Sequence, residues 1–359
     1  MILIISGNNI ISGAEYVLAD YLKAADKNKF VVLTSEIKEV INFYEKLKVN
    51  KVISSIYLTP SGASNNKIIG KVKKIYRYML SKVLIEKSIK KYQIEKVLAN
   101  NTTDIIYSAW VKKVPGMTYY QYIHDIIHKE SFLGKVIKKF DKNVDKYFAV
   151  SKAVKDSLCS IGIDENKIVI IYNGLLELDY QIKNKKDKMV FGFLGALNER
   201  KSPLTFADFI EKSGYKGIMA YHMCEGDMEN KVKKRIKKKN LDIKLIGKVE
   251  RENIKKFYDS LDFLLVPSKH DPLPTVVLEA FNYSIPVVGR SIDGLPEMII
   301  EDSNGYLFKD EQDFPEIISK INDISNEKYR GMCRNANDTI KNNFSLHKKI
   351  CQLNKFLLE

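Results

Sequence analysis

Asp262-Phe-Leu-Leu-Val-Pro-Ser-Lys-His-Asp271-Pro-Leu-Pro-Thr-Val-Val-Leu-Glu279-Ala-Phe-Asn-Tyr-Ser-Ile-Pro286-Val-Val288 is the stretch on which the fold turns. Its ends are short apolar runs, Phe263 to Val266 and Ile285 to Val288, with the length and composition of buried parallel strands. Between them Pro272 and Pro274 suit a non-helical entry and a first turn, Thr275 to Phe281 form a helix body, and Ser284-Ile-Pro286 stops it. Strand, loop, helix and strand make one parallel α/β unit, and ligands of such sheets bind beyond the carboxyl ends of the strands. Asp271 falls at that mouth, and Glu279 follows roughly two turns of helix later.

These residues, in this order, resemble the signature of the family-4 retaining glycosyltransferases of GT-B fold, usually Glu-Pro-Phe-Gly-x-x-x-x-Glu-Ala-x-x-x-Gly-x-Pro-Val. Asp271 stands for the first Glu, Pro274 for the first Gly and Ser284 for the second. Downstream, Asp293-Gly-Leu-Pro-Glu297 and Asn304-Gly-Tyr-Leu-Phe308 are similar to the family's Gly-Gly-x-Pro-Glu and Thr-Gly-x-Leu segments. Two acids eight apart carry little alone, whereas the whole run is specific. The resemblance implies an α/β chain of GT-B fold, two Rossmann-like domains facing each other across a cleft. Residues 1–180 would form the acceptor-side domain, 181–343 the nucleotide-sugar-binding domain, and 344–359 a helix crossing back to the first.

A length of 359 residues agrees with two domains, because single cores stop growing before that size. No uninterrupted apolar run approaches the length needed to span a bilayer. Met1 to Ser6 has no basic flank and reads as a first strand, not a signal peptide. Cys159, Cys224, Cys333 and Cys351 are scattered without metal-ligand spacing and read as reduced thiols. No Asp-x-Asp triplet occurs, so no metal and no cofactor are expected.

The net charge of +15 is uneven, with eleven Lys and Arg against two Asp and Glu between residues 51 and 100. There Lys67 to Ile85 spaces its apolar residues by three and four among basic ones, the pattern of a helix lying on anionic lipid. A Lys-rich solvated face on an ordinary packed helix is the other reading. Nucleic acid is disfavoured as a partner, since no helix-turn-helix, zinc signature or aromatic-studded basic strand accompanies the charge.

Gly7 to Gly13 forms a loop between the first strand and a helix from Ala14 to Ala25, a geometry that offers backbone N–H groups to an anion. Ser12-Gly13-Ala14-Glu15 is similar to the family's Gly-Gly-Ala-Glu with one glycine missing. His124 ends the strand Gln121 to Asp125 where the family commonly places a His in the acceptor-facing site. In the second half, Met189 to Leu194 is a strand, Gly195 to Pro203 a loop, and a helix starts at Leu204. The family carries Gly-Arg-Leu at that strand end and a Lys shortly after, both cations gripping the donor diphosphate. Ala196 occupies the Arg position, Lys201 is the Lys, and Arg200 is offered as the second cation.

The resemblance thus implies a donor site for a nucleotide-diphosphate sugar. Glu279 would accept from the ribose hydroxyls. Thr275 and Val276, with Pro274 and Gly195 beside them, would meet the diphosphate and sugar at the helix start. The backbone at Val249 would meet the base, Gly13 and His124 would face donor and acceptor, and Asp271 would sit near the anomeric carbon. Asp271 as a covalent nucleophile is a rival role, and an Asp capping its own helix is the plain structural one. The expected function is retaining, metal-independent sugar transfer to a saccharide or lipid-linked acceptor in surface polysaccharide or glycolipid synthesis. Its expected place is the cytoplasmic face of the membrane, held peripherally by the basic first domain. An epimerase or phosphorylase of the same fold is the alternative, with a nucleic-acid binder behind it.

Overall fold

The computed structural model describes residues 1–55, 67–249 and 253–359, with side chains except at 67–75. The expected polar loop 59–66, the end of the strand before it, and the side chains opening the basic helix lie outside the described residues. The chain divides into two compact units, Met1–Asn173 with Leu346–Glu359, and Gly174–Ser345. The break precedes the expected residue 181 because the chain after Asn173 is already bound into the second unit. Leu175 N donates to Phe344 O at 3.0 Å, Leu178 N to Asn282 Oδ1 at 2.9 Å, and Asn282 Nδ2 to Leu176 O at 2.8 Å.

The first unit holds β1 (Ile2–Ser6), β2 (Phe30–Ser35), β3 (Lys51–Ser55), β4 (Lys96–Ala99), β5 (Thr118–Ile123), β6 (Lys146–Ala149) and β7 (Ile168–Ile170). They form one parallel sheet in the order β3-β2-β1-β4-β5-β6-β7. Helices follow most strands, and the wholly buried β1 and β2 are apolar at nearly every position, as a sheet covered on both faces requires. Ser131 and Ser151 cap their helices by accepting from Gly134 N at 3.0 Å and Val154 N at 3.2 Å, about 1 kcal/mol each. The last helix, Leu346–Leu357, buries Leu346, Leu353 and Leu357 in this unit. Its Asn354 Oδ1 accepts from Tyr21 Oη at 2.9 Å, and Phe356 O from Lys96 Nζ at 2.8 Å.

The second unit holds β8 (Val190–Leu197), β9 (Lys216–Cys224), β10 (Ile243–Lys248), β11 (Phe263–Val266), β12 (Val287–Arg290) and β13 (Gly305–Phe308), parallel in the order β10-β9-β8-β11-β12-β13. Phe263 stacks on Phe191 at 5.2 Å, and Phe191 on Tyr215 at 5.2 Å, filling one face of the sheet. Two sequence expectations change here. β8 runs through Gly195 and Ala196 to Leu197, so the loop starts later than expected. The segment after Asn304, to which the resemblance assigns no element and which reads as helical in sequence, begins with β13, whose Gly305 lies against β12. A Cβ there would meet Val287 O at 2.0 Å.

In each unit the strand order reverses once, between β1 and β4 and between β8 and β11. At such a point two loops diverge from neighbouring strands and leave room for a ligand. Among the described residues no helix is long and apolar enough to cross a membrane.

Candidate functional site

At the β8/β11 reversal the loops after both strands are sewn together. Lys269 N donates to Arg200 O at 2.7 Å, and Arg200 Nη1 to His270 O at 3.3 Å. Beneath this seam the Lys201 ammonium contacts Asp271 Oδ2, which also accepts from Ser268 Oγ at 3.3 Å. Both partners are largely buried, with Asp271 7% and Lys201 15% exposed. An ammonium held against a carboxylate in so little solvent is a fixed charge pair, and it will rearrange only for a stronger anion. Asp271 does not cap its own helix: Pro274 is the N-cap of Thr275–Asn282, and it makes no side-chain cap bond.

The mouth is clamped from the other side by the loop after β12. Asp271 N donates to Asp293 Oδ2 at 2.8 Å, and Gly294 N to Asp271 O at 3.2 Å. Gly294 is required by contact, since a Cβ would lie 1.9 Å from Pro272 O. Asp293 holds a left-handed φ of 45°, a conformation costly for a residue with a Cβ and compensated by the bond it makes. His270 Nδ1 stands 3.5 Å from the same Asp293 carboxylate.

From this mouth Thr275–Asn282 runs away with its first N–H groups, those of Thr275 and Val276, lacking intrahelical partners as at any helix start. One turn on, Glu279 Oε2 accepts from the Tyr258 hydroxyl at 2.8 Å. Lys201, Arg200 and the Thr275 helix start bring two cations and open N–H groups to the β8/β11 end, with the carboxylates of Asp271 and Asp293 beside them. The imidazole of His222, beside them at the end of β9, is held below its ordinary range by partial desolvation and then by the charges of Lys201, Arg200 and Lys248.

Ala196 is buried in β8, so the position expected for a family Arg points no charge at the mouth. Arg200 is exposed and binds the loop carbonyl of His270, at the lip and not on Asp271. Gly195 sits at a register irregularity of β8. A Cβ there would meet nothing closer than 3.6 Å, so its glycine is not demanded by the described contacts. Val249 follows β10 and donates its N–H to Tyr221 O at 3.0 Å, beside a groove of about 340 Å³ that Lys244, Ile246, Lys248 and Lys256 also line.

In the first unit the loop after β1 is fixed by two buried carboxylates. Glu15 Oε2 accepts from Ser12 N at 2.9 Å and Ser12 Oγ at 2.6 Å, and Oε1 from Asn8 Nδ2 at 3.0 Å. Asp104 accepts from Gly7 N at 3.2 Å and Asn101 N at 3.1 Å. Burial above all, with the charge of Glu15 adding to it, pushes the Asp104 carboxyl up to about 7. Gly13 therefore opens its helix, Gly13–Ala24, from a loop held rigid beneath it.

His124 follows β5 directly. Its ring lies 4.4 Å from that of Tyr122, and its Nε2 is buried with no partner among the described residues. The other ring nitrogen is left for the bond with the Asn100 backbone. Burial, then the nearby Lys349 charge, lowers the imidazole to about 3 against the opposing effect of that bond. His124 is a neutral hydrogen-bonding group at working pH, too weak a base to take a hydroxyl proton. Lys349, on the last helix, is itself buried, donates to Val17 O at 2.8 Å, and is brought down to about 7 by burial.

Sequence reasoning missed Tyr258, Ser268 and the roles of Asp293 and Asp104, because none belongs to a motif whose spacing names its partner.

The family described as Glycosyl transferases group 1 matches residues 177–343, and the one described as Glycosyltransferase Family 4 matches residues 11–175. An uncharacterized glycosyltransferase of Methanocaldococcus jannaschii is 28% identical over 64% of this chain and 64% of its own length. The amylovoran biosynthesis glycosyltransferase AmsK of Erwinia amylovora is 32% identical over 48% of this chain and 47% of its own. The chain thus spans between about half and two thirds of these curated relatives. In fold it is similar to HepE of Anabaena, solved in complex with UDP, with a TM-score of 0.81, 18% identity and 99% coverage of both chains.

Proposed function

The chain belongs to the glycosyltransferases of GT-B fold, and from that premise we propose that it moves a sugar, with retention, from a nucleoside-diphosphate sugar to a saccharide or lipid-linked acceptor. The observation that carries this reading is the Lys201–Asp271 pair at the β8/β11 reversal, next to the open N–H groups of Thr275 and Val276. A diphosphate arriving there meets an ammonium and a helix N-terminus, and can draw Lys201 from Asp271 to itself. Asp271 is then released to accept from a sugar hydroxyl. UDP is the first nucleotide to try, since HepE binds it.

In the reaction the bond from the anomeric carbon to the phosphate oxygen breaks, and a bond from the acceptor oxygen to that carbon forms on the same face. The acceptor proton passes to the departing phosphate oxygen. Lys201 and the helix start stabilise the charge that develops on the phosphate. No protein nucleophile or base is needed, which agrees with a His124 too weakly basic to accept a proton. His124 serves near the acceptor as a neutral group and not as a base. The reaction proceeds without metal, because cations of the chain take the phosphate charge.

Peripheral attachment at the cytoplasmic membrane face is part of the proposal. On the basic helix Lys67–Tyr92, Tyr76, Met79 and Val83 are exposed at spacings of three and four, and Phe132 is 70% exposed on Phe132–Phe140. Vesicles containing phosphatidylglycerol should sediment the protein, and pure phosphatidylcholine should not.

The decisive assay follows acceptor-dependent release of nucleoside diphosphate with EDTA present. Full transfer and full donor affinity in Glu279→Ala would overturn the donor site. Release requiring added metal would overturn the metal-independent step, and epimerised donor without acceptor would point to the other enzyme class.

A further inference from the structure

We propose that Tyr258 is a positioning residue that aims Glu279 at the donor ribose. The inference rests on the donor reading above and adds the group that makes Glu279 selective.

Tyr258 lies on Ile254–Asp259, twenty-one residues before Glu279 in sequence, and its side chain is wholly buried. Its ring stacks on Tyr283 at 5.0 Å and 15°, and Tyr283 meets Tyr180 edge-on at 4.9 Å. Tyr283 also closes the Thr275–Asn282 helix, its N–H donating to Glu279 O at 3.1 Å. The aromatic stack therefore ties the Tyr258 ring to the helix end that carries Glu279. From that ring one O–H reaches Glu279 Oε2 at 2.8 Å, with Val276 O further off at 3.3 Å. A charged acceptor at the shorter distance takes the proton.

A phenol buried this way stays protonated. Burial, then the Glu279 charge, hold it well above its ordinary range, so it acts only as a donor. A partly exposed Glu otherwise samples several rotamers. One bond from a rigid donor selects one of them, while a carboxylate retains capacity to accept from vicinal hydroxyls. Tyr joins a ring that fits this stack to a donor at its far end.

The test is calorimetric titration of UDP, ADP and GDP and their 2′,3′-dideoxy counterparts into wild type, Tyr258→Phe, Glu279→Ala and the double variant. Phe keeps the ring stack and removes only the hydroxyl. The expected result is that Tyr258→Phe weakens the best-bound ribonucleotide by about five- to tenfold and leaves its dideoxy form unchanged. In the Glu279→Ala background the same change should do nothing, and in turnover KM for the donor should rise with kcat held.

Equal weakening of ribo and dideoxy forms, or an additive loss in the double variant, would make Tyr258 merely structural and overturn the inference. So would no effect at all in a wild type that discriminates ribose through Glu279. A wild type that binds none of the nucleotides overturns the donor reading itself, and the two failures are thereby distinct.

Discussion

Lys201 and Asp271, seventy residues apart in sequence, share one nearly dry contact at the carboxyl ends of β8 and β11. The pair stores positive charge where a diphosphate is proposed to bind, and keeps it neutralised until one arrives.

Removing one partner strands the other. Lys201→Ala leaves the Asp271 carboxylate buried and unpaired, and should cost about 3 kcal/mol in a denaturant titration. Turnover should fall about a hundredfold or more, because the phosphate charge loses its nearest donor. Asp271→Asn should lose activity with the smaller stability change, since a neutral amide still accepts from Ser268. Equal stability of Lys201→Ala and wild type would show the contact to be weak.

His124 should give no limb to the pH–rate profile near its ordinary value of 6.5, because the folded imidazole titrates at about 3. The folded state binds fewer protons than the unfolded one between these values. Its contribution to stability is thus complete above 6.5 and lost as pH falls toward 3. His124→Asn should flatten that acid loss by on the order of a few kcal/mol. Unfolding curves of the two proteins that stay parallel through this window would contradict it.

Lys349 behaves alike in a different range. Its folded value of about 7 lies below 10.5, so full stability belongs to pH above 10.5 and is lost as pH falls toward 7. Lys349→Met should therefore raise the unfolding free energy at neutral pH, by roughly 1–3 kcal/mol, with the gain shrinking toward pH 10. A gain independent of pH would assign the effect to packing alone.

Gly294→Ala should act on chemistry more than on folding. The new Cβ must push Pro272 O away, and Pro272 adjoins Asp271. Donor KM and kcat should both worsen, by about tenfold or more, with about 2 kcal/mol of stability lost. Gly331→Ala, whose Cβ would meet only an arginine tip at 3.9 Å, is the matched control.

Much of the second unit can be read in its residues. Phe263 to Val266 read as a buried strand and is one, and the prolines after it confined the helix start to within a residue or so of Thr275. In the first unit the apolar run Met1 to Ser6 and the strand leading to His124 were legible as well. What escaped was pairing across the sheet. Lys201 and Asp271 meet because β8 and β11 are neighbours, and strand order has no local signature. Tyr258 was indistinguishable from any core aromatic, as its hydroxyl partner lies on another helix. Gly195 and Ala196 looked like loop because a small-residue pair weakens the strand pattern, although pairing with β9 carries the strand through both. The low basicity of His124 was also hidden, since it comes from burial supplied by distant segments and then from the charge of Lys349.

The first unit is written in two instalments, Met1–Asn173 and Leu346–Glu359, with the whole of the second between them. On the ribosome, residues 174–345 emerge while the earlier unit still lacks the helix that seals Tyr21 and Lys96. The unit that starts first is thus finished last. A nascent chain stalled before Leu346 should carry a native second unit and a protease-sensitive first one.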